Sequence, residues 1–166
     1  MINLHQDDEI YAHFGVAALA AQVFEQNVAL ALSLRIGSDA AQHVLLRPSI
    51  GGAPHRPKDF RRLTLGPLVS KLKEAFEVDD EVAEKLAEAL ACRNSLMHGF
   101  FPRHARNLQK REGRALIKQE LEGARELLWE ATRLIAPLVV GEAERLLKFE
   151  DMVPSDGFCT KKDRGA

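Results

Sequence analysis

The 166-residue sequence contains only two cysteines, Cys92 and Cys159, and they lie far apart in the chain. They form no C-x-x-C pair, so neither a disulfide framework nor a zinc site is predicted. Cys92 is expected to be a small buried residue. So little cysteine is typical of a reducing compartment, and we expect a cytoplasmic protein.

The sequence also lacks an excess of either charge. It has 23 Lys and Arg and 24 Asp and Glu, a formal net charge of -1 at pH 7. A chain with this balance does not bind nucleic acid indiscriminately, so any such affinity must come from a local basic patch. Residues 16–24 are apolar but too short and too polar for a predicted membrane span, and the first residues do not predict a signal peptide.

Three catalytic motifs are missing: a Gly-rich phosphate loop, His-Glu-x-x-His and Gly-x-Ser-x-Gly. Nucleotide hydrolases, zinc peptidases and serine hydrolases therefore have no support. The histidines at positions 5, 13, 43 and 55 lack the spacing of metal ligands, so we predict no metal and no other cofactor.

Hydrophobic residues make up 46% of the chain, which is enough for one buried core. Their spacing predicts helices over about residues 7–35, 64–76, 79–98 and 114–149. Gly99 and Pro102 are interpreted as stop signals, residues 103–113 as a polar connector, and Pro137 as a kink. We predict an all-α, up-and-down bundle of four to five helices, with one domain over residues 1–150 and a flexible tail over 151–166.

The first helix is apolar on two sides, which predicts a helix that is central to the bundle or shared with a partner. One stripe contains Phe14, Ala18, Ala21, Val28 and Leu32, and the other contains Val16, Leu19, Val23, Leu30 and Leu34.

Arg93 interrupts an apolar stripe on the third helix, where an aliphatic residue would be usual. A buried guanidinium is costly unless it is paired, so this position needs an explanation. Asn94 and His98, four residues apart, share the neighbouring helix face. Histidine suits proton transfer near neutral pH and arginine holds phosphate, which together suit RNA cleavage through the ribose 2′-OH without a metal.

The segment 93–98, Arg-Asn-Ser-Leu-Met-His, resembles the signature of the HEPN superfamily: an arginine, a polar residue, a short spacer and a histidine. The lead-in helix and the aromatic residues that follow are similar to that family too. The resemblance implies a helical bundle that forms a homodimer, with two copies of the signature across a cleft. It further implies a metal-independent ribonuclease, with Arg93 and His98 catalytic, Asn94 orienting them, and an antitoxin or another regulatory protein as partner.

Glu25 lies on a core stripe of the first helix, and we hypothesise that it pairs with Arg93 and orients it. The alternatives are a buried ion pair without a catalytic role, or a glutamate that faces water. Two basic runs are candidates for contacts with RNA phosphates, although a solvated polar loop is the more common use of the second. The first contains Arg103, His104, Arg106, Lys110, Arg111 and Arg114, and the second contains Arg56, Lys58, Arg61 and Arg62.

Two other interpretations remain open. A catalytically silent HEPN-like module would use the Arg–His patch at a dimer interface to bind protein, nucleotide or RNA. A plain helical scaffold with a coincidental motif predicts Arg93 extended into solvent and no cleft near His98.

Overall fold

The computed structural model describes residues 4–36 and 64–152, with side chains described for 8–36 and 64–148. These residues form four helices that pack together: α1 (Leu4–Ile36), α2 (Leu65–Phe76), α3 (Asp80–Leu108) and α4 (Arg111–Met152). No strand occurs within them. The predicted all-helical fold is confirmed over this part of the chain. The second basic run (56–62) and positions 153–166 of the predicted tail lie outside it.

α1 and α4 run parallel along most of the length of α1. Near the start of α1, Glu9 pairs with Lys118, and near its end Arg35 pairs with Glu142. Fully buried alanines at positions 17, 20, 21 and 31 of α1 belong to the core cluster. Because an alanine side chain is a single methyl group, this helix can approach its neighbours closely.

α3 runs antiparallel to α1 and packs against both long helices. Near its start Lys85 lies 3.5 Å from Glu130, and near its end Arg103 pairs with Glu120. α2 ends where α1 ends, since the guanidinium of Arg35 lies 5.5 Å from the ring centre of Phe76. The C-terminal ends of α1 and α2 thus meet. α3 and α4 run in opposite directions as predicted, and the connection from α1 to α2, residues 37–63, lies outside the described residues.

The two apolar stripes of α1 have different environments. Ala21, Val28 and Leu32 are buried in the core, whereas Val16 and Leu19 are 48% and 55% exposed. The first stripe faces the bundle, and the N-terminal half of the second stripe does not. The other predicted role of this helix, a surface shared with a partner, stays a prediction.

Residues 8–36 of α1 also form a helix long and apolar enough to cross a membrane by length and composition alone. The apolar run at residues 16–24, which we predicted to be too short and too polar for a membrane span, is part of this longer apolar helix. A core helix of a soluble protein meets the same criterion, and many side chains of α1 are buried against the rest of this bundle.

α3 does not end at Gly99, so the predicted stop signal and the polar connector at 103–113 were wrong. Asp79 caps the helix by accepting a hydrogen bond from the backbone N–H of Val82 at 2.8 Å. Gly99 has non-helical angles (φ -177°, ψ 18°), and a second helical segment follows directly. Pro102 falls in the first turn of that segment, where a missing backbone N–H costs little. The continuation buries Phe100 and His104.

Only Gln109 and Lys110 separate α3 from α4, and the turn requires a glycine. A Cβ at Gly113 would lie 2.3 Å from the backbone oxygen of Asn107, which is far inside van der Waals contact. Arg114 donates a hydrogen bond to the exposed end of α3, at the carbonyl of Leu108 (2.7 Å). α4 then continues through Pro137 to Met152.

Glu142 joins the ends of α1 and α4. The residue is 6% exposed, and its carboxylate accepts hydrogen bonds from Nη1 of Arg35 at 2.7 Å and from Nε of Arg145 at 2.5 Å. Burial alone raises the pKa of Glu142, but the hydrogen bonds from Arg145 and Arg35 outweigh it, so the pKa lies below its ordinary value.

We expect Glu142→Gln to lower the free energy of unfolding by about 1–2 kcal/mol near neutral pH, because two charge-assisted hydrogen bonds are weakened. A lowered folded-state pKa stabilises the protein above the ordinary carboxyl pKa. That contribution disappears as the pH falls through the folded-state pKa. Urea unfolding near neutral pH and at about pH 3 should therefore show the difference shrink in acid. Glu144→Gln, at an exposed position of α4, is the control. Equal losses in the two variants would contradict this role.

Candidate functional site on the third helix

Arg93 is held between α3 and α1 by an ion pair. Its Nη2 lies 2.8 Å from Oε2 of Glu25, and the two side chains are 21% and 19% exposed. The antiparallel contact between the two helices brings these residues opposite each other. The predicted Glu25–Arg93 pair is therefore confirmed as a contact, while its role in catalysis stays a prediction.

Asn94 also contacts this guanidinium. Nη1 of Arg93 donates to Oδ1 of Asn94 at 3.2 Å, and Asn94 itself is exposed. Two oxygens on different helices thus fix the plane of the Arg93 fork. Arg93 is neither stretched into solvent nor unpaired, which contradicts that expectation of the coincidental-motif interpretation.

His98 lies one helical turn beyond Asn94 and is exposed. Within the described part of the chain, its ring makes no hydrogen bond or ion pair. It follows Arg93 by five residues, so the two side chains point about 140° apart around α3. One chain therefore presents an oriented guanidinium and an accessible imidazole on adjoining surfaces without direct contact between them.

A second polar cluster lies on the other side of His98, between α3 and α4. Arg103 donates to Oγ of Ser95 at 2.5 Å and to Oε1 of Glu120 at 2.6 Å. Neither Ser95 nor Glu120 was predicted to be a site residue, and Arg103 and His104 were predicted to lie in a polar connector. The signal available was the i, i+4 spacing of Phe100 and His104, which predicts one buried face if the helix continues past Gly99.

His104 is buried at the edge of this cluster and is 6% exposed. Its Nδ1 lies 3.3 Å from Nδ2 of Asn107, and its Nε2 lies 3.0 Å from Oε2 of Glu120. An amide nitrogen can only donate, so Asn107 assigns the neutral ring proton to Nε2. Glu120 lies outside the geometry of a directed hydrogen bond, which leaves the buried Nε2 close to a carboxylate but without a hydrogen-bond partner.

Next to the cluster is a groove of about 240 Å³ between α3 and α4. Cys92 lies at its edge and is partly buried. Burial raises the pKa of its thiol, and the nearby Glu120 carboxylate adds to the effect. A raised pKa disfavours the thiolate, so a nucleophilic role for Cys92 has no support.

The basic residues predicted to contact RNA differ in their availability. The charge of Arg103 is paired with Glu120, and Arg114 is half-buried against the end of α3. Arg106, Lys110 and Arg111 are exposed, and no carboxylate within residues 8–36 and 64–148 is in ion-pair distance of them. Among the described basic residues predicted to contact RNA, those without an ion pair therefore lie at the turn between α3 and α4.

We predict that the Glu25–Arg93 pair contributes more to stability than an exposed pair. In a double-mutant cycle with Glu25→Gln and Arg93→Gln, urea unfolding should give a coupling free energy of about 1 kcal/mol. The same cycle on Lys85 and Glu130, which are 31% and 50% exposed and 3.5 Å apart, is the matched control. There we expect roughly 0.3 kcal/mol, because solvent screens the charges. Similar coupling in the two cycles would show that Arg93 is not held as described.

Comparisons of the chain with protein families, curated proteins and solved structures found no match. A function for this chain is therefore inferred from the residues of the 93–98 segment and from their geometry in this fold.

Proposed function

We propose that this protein is a metal-independent endoribonuclease of HEPN type. The observation that supports it best is the fixed guanidinium of Arg93, bound by Glu25 and Asn94, on the same helical segment as the exposed imidazole of His98. Arg93 and His98 thus supply an oriented cation and a base within two turns of α3, and Glu25 and Asn94 orient the cation.

In the proposed reaction, the ribose 2′-oxygen attacks the adjacent phosphorus and loses its proton to a neutral His98. The bond from phosphorus to the 5′-oxygen of the next nucleotide breaks, and that oxygen takes up a proton from an imidazolium. The products are a 2′,3′-cyclic phosphate and a 5′-hydroxyl. Arg93 stabilises the charge on the phosphoryl oxygens during the attack.

Arg93 suits this role better than a freely moving cation would, because its guanidinium is already held in place. Its partners hold one edge of the guanidinium and leave other N–H groups of the fork to donate to a phosphate. A cation that is already oriented loses little entropy when the transition state forms. Glu25 acts as a positioning residue here, through Arg93.

A homodimer completes the site in this proposal. Arg93 and His98 diverge around α3, so a second copy across the helix would supply the complementary imidazole. One His98 then removes the 2′-proton while the partner subunit's His98 donates to the leaving oxygen. Met97, which is 41% exposed beside His98, gives such an interface an apolar contact.

One observation favours a second candidate function, a catalytically silent HEPN-like binding module. The guanidinium of Arg93 is only 21% exposed and is already paired, as expected for a residue that stabilises an interface network. In that case an antitoxin or another regulatory protein would bind this surface, and RNA would bind without being cut.

The test is incubation of mixed RNA with the purified protein in EDTA. We expect wild type to cut RNA but not DNA and to leave 2′,3′-cyclic phosphate ends. His98→Ala should reduce the rate at least about 100-fold, because proton transfer is lost. Arg93→Lys should also reduce it, since an ammonium cannot reproduce the planar fork.

His13→Ala is the matched control, because His13 lies on α1 beside Glu122 and outside the proposed site. It should cut RNA at the wild-type rate. Cleavage that requires added Mg²⁺, or a His98→Ala variant as fast as wild type, would overturn the proposed mechanism. A folded wild type that binds RNA without cutting it would favour the binding module.

A further inference from the structure

The groove between α3 and α4 is small, partly apolar and open to one side. Leu96 and Phe100 form part of its floor, and Gly123 leaves room on the α4 wall. A Cβ added at Gly123 would meet no other heavy atom within 4 Å. Pockets for drug-sized ligands measure about 300–1,000 Å³, so a groove of about 240 Å³ fits a smaller group, the size of a nucleobase.

At the mouth of the groove, a guanidinium and a carboxylate lie side by side. Arg103 and Glu120 are 46% and 45% exposed, so both side chains are accessible to a ligand. Arg103 uses one Nη on Ser95 and the other on Glu120, and its remaining N–H groups are available to donate. The carboxylate of Glu120 retains lone pairs that can accept.

His104 contacts the Glu120 carboxylate from inside the bundle. Its side chain is 8% exposed, and its Nε2 lies 3.0 Å from Oε2 of Glu120. Arg103 donates to the other oxygen, Oε1. These two contacts hold the carboxylate in place at the mouth of the groove.

A ligand that complements this arrangement has two hydrogen-bond donors facing the Glu120 carboxylate. Beside them it has an acceptor facing the Arg103 guanidinium. Among the RNA bases, the Watson–Crick edge of guanine has that pattern: N1–H and N2–H donate, and O6 accepts. Adenine has an acceptor at N1, cytosine has one at N3, and uracil has a single donor between two carbonyls.

We propose that the groove seats a guanine base of the RNA substrate, with Glu120 accepting from N1–H and N2–H and Arg103 donating to O6. The inference rests on the proposed function for its substrate class. Unpaired bases of RNA are commonly recognised in this way, on an apolar surface with hydrogen bonds to the Watson–Crick edge.

The position of the groove relative to His98 supports the assignment. Counting at 100° per residue, Ser95 lies about 60° from His98 around α3, while Arg93 lies about 140° away on the other side. His98 is therefore between the groove and the Arg93 site. A guanine in the groove would place its own ribose and 3′-phosphate towards His98, so cleavage should follow guanine.

The first experiment measures binding of the four nucleoside 5′-monophosphates by calorimetry, using the His98→Ala full chain so that binding does not depend on cleavage. We expect guanosine monophosphate to bind about tenfold more tightly than the other three, the preference of one good bidentate pair. Glu120→Gln should remove the preference, because an amide has only one acceptor oxygen.

Gly123→Leu, which fills the groove, should abolish guanine binding. Gly141→Leu is the matched control, because Gly141 is also an exposed glycine of α4 with no other atom within 4 Å of a built Cβ. It should bind like its parent. Equal binding of all four nucleotides, no binding by a folded parent, or unchanged binding by Gly123→Leu would overturn the proposal.

The second experiment tests whether the groove recognises guanine within RNA, and not only as a free nucleotide. It also distinguishes failure of this proposal from failure of the proposed nuclease activity. If wild type cuts RNA, products should end in guanosine 2′,3′-cyclic phosphate, and Gly123→Leu should lose that preference while it still cuts. Cleavage without a guanine preference would overturn the proposal that the groove binds a guanine of the RNA substrate. Guanine binding by a chain that cuts no RNA would support the groove and overturn only the nuclease.

Discussion

The parallel contact between α1 and α4 is the constraint on which the rest of the fold depends. Fully buried alanines of α1 and buried leucines of α4, among them Leu121 and Leu128, belong to one core cluster. Ion pairs at the two ends, Glu9 with Lys118 and Arg35 with Glu142, set the register of the two helices. With α1 fixed in this way, Glu25 faces α3. An acidic residue inside an otherwise apolar contact is then stabilised by a basic residue opposite it, Arg93.

The helical periods of α1, α2 and α4 could be predicted from sequence because each has an uninterrupted apolar repeat and clear ends. The second half of α3 could not. Gly99 and Pro102 indicate that the helix is interrupted. The local sequence is the same whether the helix ends there or continues in a second segment. The deciding factor is tertiary: Phe100 packs against Phe14 with ring centres 5.6 Å apart, and burial of Phe100 and His104 stabilises the continued helix.

In the candidate site, too, some contacts could be predicted from sequence and others could not. Glu25 and Arg93 could be paired from sequence because each is a single charge on an apolar stripe of a regular helix, and a buried charge requires a partner. The cluster of Ser95, Arg103 and Glu120 was not predictable, since it depends on the helix beyond Gly99 and on the register of the α3–α4 turn. Gly113 fixes that register by allowing the close approach of Asn107.

The charge distribution determines how RNA would bind under the proposed function. The net charge is -1, and the unpaired cations at the α3–α4 turn are Arg106, Lys110 and Arg111 among the described residues. Affinity from phosphate contacts grows with the number of phosphates neutralised, so three cations per chain give a weak, salt-sensitive attraction. In the proposed reaction, that attraction brings RNA to the turn, Arg93 contacts the scissile phosphate, and a bound base supplies the remaining orientation against His98. Arg103 contributes little to phosphate binding while its charge is neutralised by Glu120. The arginine that the sequence suggests as a phosphate ligand is therefore better suited, in this fold, to reading a base edge.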